Sequence, residues 1–75
     1  MKMKINLDTQ SDVLEFCKLV SGVEGEVRVV GTDGGQKVSV NAKSLLGLLY
    51  SQTWNDLWCE SDKDLYGILS KFSAD

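Results

Sequence analysis

Along the first 30 residues the hydrophobic pattern changes period. Lys4 to Asp8 alternates polar and apolar around Ile5 and Leu7, the period-two signature of a half-buried strand. The next four residues, Thr9-Gln10-Ser11-Asp12, are rich in capping side chains, and Asp12 with Glu15 three positions on has the form of a capping box. Val13, Phe16, Cys17 and Val20 then fall at i, i+3, i+4 and i+7, one face of a helix, with Gly22 as its stop.

Two short apolar runs follow. Val27, Val29 and Val30 predict a second strand, and Val38, Val40 and Ala42 a third. Asp33-Gly34-Gly35 between them is a strong turn signal, so the two strands form a hairpin. Leu45 to Tyr50, entered through Ser44, predicts a brief helix, although Gly47 in its middle costs about 1 kcal/mol of helix propensity. Thr53 to Glu60 reads as a fourth strand carrying both tryptophans. Ser61, with Asp64 three residues later, caps a last helix striped by Leu65, Ile68, Leu69 and Phe72. The predicted order is β-α-β-β-α-β-α. Its economical solution is an α+β open-faced sandwich, one four-stranded antiparallel sheet with three helices on one face.

Length and charge narrow this picture. The chain has 75 residues, enough for one domain over residues 1–75 and not for two. Its net charge of −3, with basic residues scattered rather than clustered, argues against a nucleic-acid partner. No apolar stretch approaches the roughly 20 residues of a membrane span, and Met1 to Lys4 does not read as a signal peptide. Cys17 and Cys59 are far apart and outside any C-x-x-C pattern, which favours a reducing cytoplasmic setting and a role as buried small hydrophobes. Histidine is absent, so no Ser-His-Asp or Cys-His arrangement exists. The expectation is a non-enzymatic domain without cofactor or metal.

The element order and the segment Lys37-Val38-Ser39-Val40-Asn41-Ala42-Lys43-Ser44-Leu45-Leu46-Gly47-Leu48-Leu49 resemble HPr, the small phosphocarrier of the bacterial sugar phosphotransferase system. The likeness is strongest over residues 36 to 49, where Asn41-Ala42-Lys43-Ser44 precedes two leucines and Gly47. The resemblance implies an HPr-like fold. In that family a histidine, followed by an arginine and a proline, carries phosphate at the start of the first helix. The matching positions here are Thr9 or Gln10, then Ser11 and Asp12, so all three are replaced. Phosphoryl transfer there needs a nitrogen nucleophile and a nearby cation, and the chain offers neither. Histidine phosphotransfer is excluded.

A second site of the family is retained. The resemblance makes Ser44 the position phosphorylated by HPr kinase, with Lys43 beside it. Its other reading is a plain N-cap. The resemblance also implies docking of a kinase or transcriptional regulator through Lys43, Leu45, Leu46 and Leu49, with Leu48 reserved for the core. A histidine-less paralogue in the bacilli, Crh, is similar in holding glutamine at the active position, as Gln10 does here, but keeps the arginine and proline that this chain lacks. The implied function is a non-catalytic, regulatory or protein-binding module. The alternative is a diverged structural or self-associating domain with no phosphotransferase role.

Trp54 and Trp58 lie four apart in the fourth strand and so share a face, leaving Leu57 and Cys59 to point at the helices. The expectation is two indoles on the open face of the sheet, serving a homodimer or ligand surface. Its competitor is a core role for Trp58 with a bulge or shifted register.

Overall fold

The computed structural model describes residues 1–74. Strand β1 spans Lys2–Lys4, helix α1 Gln10–Ser21, strand β2 Val27–Asp33, strand β3 Gln36–Asn41, helix α2 Leu45–Ser51 and strand β4 Asn55–Ser61, followed by a single 3-10 turn at Ser70–Phe72. The four strands form one antiparallel sheet in the order β1-β4-β2-β3. Gly34 and Gly35, with φ of 57° and 82°, make the β2–β3 turn in the left-handed region that glycine enters without steric cost.

One face of the sheet carries the core. Met3, Val27, Val29, Leu57 and Cys59 point to it and join Val13, Phe16 and Val20 of α1 with Leu48 of α2 in a single buried cluster. Both helices therefore cover the same side. Leu57 and Cys59 face the helices as the alternation predicts.

The first helix starts one turn earlier than the Asp12–Glu15 pair suggests. Thr9 is the N-cap: its hydroxyl accepts the Asp12 N–H at 3.0 Å, and the Asp12 carboxylate accepts the Thr9 N–H at 3.2 Å. The capping box is thus Thr9–Asp12, with Asp12 as its third helical residue rather than its cap. Aspartate is the better N-cap by preference, so the register is set instead by Leu7, which is buried just ahead of Thr9.

The third helix is not formed. Residues 62 to 74 cross the same face as turns, and Leu65, Leu69 and Phe72 are buried while Ile68 is about half exposed. Three local features work against a helix. Gly67 sits in its middle, the Asp64 carboxylate accepts the Tyr66 N–H at 3.1 Å, and the Leu65 N–H points at the Met1 sulfur. The tail then runs along β1, with Ile5 bridged to Ser73, Asn6 N–H donating to Phe72 O and Ala74 N–H to Lys4 O. An edge strand gains partners where a helix would have left it open. Phe72 meets Phe16 edge-on at 5.4 Å, and Lys71 holds Glu15 at 2.5 Å, which ties the tail to α1.

The first strand also differs from its predicted span. It ends at Lys4, and Ile5 and Leu7 continue into the core through a bridge and a loop instead of a regular ladder. Among the described residues no helix is long and apolar enough to cross a membrane.

Candidate functional site

The chain enters α2 through a tight turn. Asn41 accepts the Lys43 N–H on its side-chain oxygen and the Ser44 N–H on its carbonyl. Ser44 is then in extended backbone and its hydroxyl accepts the Gly47 N–H at 3.2 Å, so it is the N-cap of α2. The Ser44 side chain is exposed at that position.

Lys43 behaves differently from its neighbour. Its ammonium donates to the carbonyls of Val23 and Gly25, at 2.5 and 2.8 Å, in the loop that leaves α1. Those carbonyls tie the ammonium to the loop between α1 and β2. The Cys17 thiol, 3.7 Å from the Lys43 carbonyl oxygen, marks the same contact from the α1 side.

At its other end α2 is tied to the opposite end of α1. The Gln52 amide donates to the Leu7 carbonyl at 3.2 Å, just before α1 begins. The two helices therefore run antiparallel. Ser44 lies by the exit of α1, and the Thr9-Gln10-Ser11-Asp12 segment lies by the exit of α2. Ser44 and the Thr9–Asp12 segment thus stand at opposite ends of the helix pair.

The Thr9–Asp12 segment satisfies its backbone from within. Asp12 accepts the N–H groups of both Asp8 and Thr9 at 3.2 Å, and Gln10 and Ser11 are exposed on the first turn. The N-terminus of α1 already faces a carboxylate, which opposes any incoming anion.

Between the two ends, α2 is apolar and open. Leu48 is buried and Leu49 packs partly against the core, whereas Leu45, Leu46 and Tyr50 are 40, 70 and 67% exposed. Gly47 allows the helix to lie close to the sheet, since a Cβ there would sit 3.1 Å from Val40 Cβ. The glycine that weakens the helix by propensity is what lets it dock. Tyr50 has no place in the sequence-level docking set, although its spacing one turn after Leu46 would have put it there.

The tryptophans do not share a face. Asp56 has φ of 59°, and the β2–β4 register shifts between Val30 and Thr32, so the alternation is broken between Trp54 and Trp58. Trp54 precedes β4 and packs against the core. Trp58 lies on the open face, paired with Lys4 and Val30, and the Lys2 ammonium covers its ring at 5.0 Å. Around it the open face is charged, with Lys2 near Glu60 at 3.9 Å and Lys4 near Asp56 at 3.6 Å. A two-indole dimer surface is therefore not built.

Cys59 is buried in the core, and burial pushes its thiol up to about 11. Cys17 is half-buried and both cysteines are free. Among the described residues no group of three or more His, Cys, Asp and Glu is placed to hold a metal ion. Compared with known proteins, the chain matches no protein-family model, no curated protein and no solved structure.

Proposed function

We propose that this chain is a non-catalytic, HPr-like binding module of the bacterial cytoplasm that engages protein through the outer side of α2, with Ser44 as its regulatory phosphoacceptor. The observation that carries the reading is the exposure of Leu45, Leu46 and Tyr50 on one seven-residue helix. Large apolar side chains left together in water mark an interface. Support for the HPr-like part comes from the residues 36–49 resemblance and from one antiparallel sheet with α1 and α2 on the same side. The exposed Ser44 hydroxyl is accessible to a kinase, and a phosphate on it would add charge beside the leucines of the interface. The chain lacks histidine, so its role is that of a regulated binder and not of a carrier.

The experiment is incubation of the purified protein with a bacterial HPr kinase and ATP, read by mass, beside an HPr control. One phosphate, lost in Ser44→Ala, is the expected result. An unmodified chain beside a labelled control would move the protein to the alternative class, a structural domain outside the phosphotransferase system.

A further inference from the structure

We infer that the outer side of α2 pairs with the same surface of a second copy, the two helices running antiparallel about a twofold axis. The inference rests on the reading of α2 as an interface and names its occupant.

The surface is wider than α2 alone. Helix α1 buries Val13, Phe16 and Val20, which places Gln10, Leu14, Cys17 and Ser21 along one flank at helical spacing. Cys17 touches Lys43, so this flank is the one that faces α2. Leu14, 55% exposed, adds an apolar side chain on the α1 flank that faces α2.

Charge identifies the occupant. From Leu45 to Ser51 the helix carries no charged residue. Near its start Lys18 follows Cys17 on α1, whereas Asp8 adjoins Leu7, where Gln52 closes the far end. The side chains of Asp8 and Lys18 are both exposed and form no ion pair among the described residues. A twofold antiparallel pairing lays the start of one α2 over the end of the other. It sets Lys18 of each copy against Asp8 of its mate, twice, with leucine and tyrosine between. An isologous interface requires this kind of self-complementary patch. Complementary charges at the rim fix the register and disfavour the parallel arrangement, in which lysine would meet lysine.

Sedimentation equilibrium of the full chain across micromolar to millimolar concentration tests it. The expected result is a mass rising from one chain to two, with Leu46→Glu held at one. Asp8→Lys and Lys18→Glu should each weaken the dimer about tenfold, and the double variant should recover it. A dimer unaffected by Leu46→Glu overturns the inference, as does a double variant no tighter than either single one. A wild-type protein that stays monomeric also overturns it. If HPr kinase still modifies that monomer and Leu46→Glu abolishes the modification, α2 remains an interface for another protein and only self-pairing falls.

Discussion

Thr9 and Asp12 cap each other: the threonine hydroxyl takes the Asp12 N–H at 3.0 Å and the aspartate carboxylate takes the Thr9 N–H at 3.2 Å. Thr9, Gln10, Ser11 and Asp12 are thereby used to start a helix. A carboxylate, not a cation, stands at this helix start and opposes an incoming phosphate. Phosphoenolpyruvate and the general phosphotransferase enzyme should leave the chain unlabelled, and installing the nucleophile alone with Gln10→His should not rescue labelling. Acid-labile phosphate on either protein would refute this. Thr9→Ala should cost about 1 kcal/mol in a urea melt, the usual loss of a cap.

This region shows what sequence can and cannot convey. That residues 9 to 12 cap a helix is legible from their side chains, but which residue is the cap depends on where Leu7 is anchored in the core. The same holds at the other end of the chain. Leu65, Leu69 and Phe72 are readable as buried residues from their spacing, yet the spacing does not reveal that β1 offers a free edge to the tail. A local helix preference weakened by Gly67 yields to those edge hydrogen bonds. In the candidate site, Ser44 and the α2 leucines are visible in the sequence. The capture of Lys43 by two distant carbonyls and the loss of alternation at Asp56 are not, because both arise from tertiary contacts.

Gly31 is a position where packing forbids any side chain. A Cβ there would lie 2.9 Å from Leu57 Cδ2 and 3.0 Å from the Asn55 carbonyl oxygen. Leu57 could shift, but the carbonyl belongs to the neighbouring strand. Gly31→Ala should destabilise by about 1–3 kcal/mol, the range for overpacking. Gly34→Ala meets no neighbour within 4 Å, so any loss there reports its φ of 57° instead. Denaturant melts of the pair separate the two causes. A Gly31→Ala variant as stable as wild type would show that β2 and β4 stand farther apart at this point.

Ser44 serves α2 as a cap whether or not a kinase modifies it. Ser44→Ala should cost about 1 kcal/mol. Ser44→Asp should recover most of that, because an aspartate oxygen can accept the Gly47 N–H and its charge suits the helix start. Urea melts of both decide it. A larger loss for the aspartate would mean that the hydroxyl donates to a group that a carboxylate repels.

Alkali should expose the buried thiol. Cys59 is pushed up from 9.0 to about 11, chiefly by burial, with the N-terminal ammonium opposing and Glu60 adding to the rise. The folded state therefore holds this proton where the unfolded chain releases it. Stability from this source is full below about pH 9 and declines as the pH rises toward 11, by at most about 3 kcal/mol. Lys71 changes in the same sense, since the hydrogen bond to Glu15 raises it and that contribution is lost as the pH climbs through its folded value. Cys59→Ala isolates the thiol. The variant should begin less stable, from the small cavity it leaves, but its stability should fall less steeply between pH 9 and 10.5 than that of wild type. Iodoacetamide at pH 8 should correspondingly modify the half-buried Cys17 before Cys59. Parallel slopes for wild type and Cys59→Ala, or equal labelling of the two cysteines in the folded protein, would mean that water reaches the Cys59 sulfur beneath the helices.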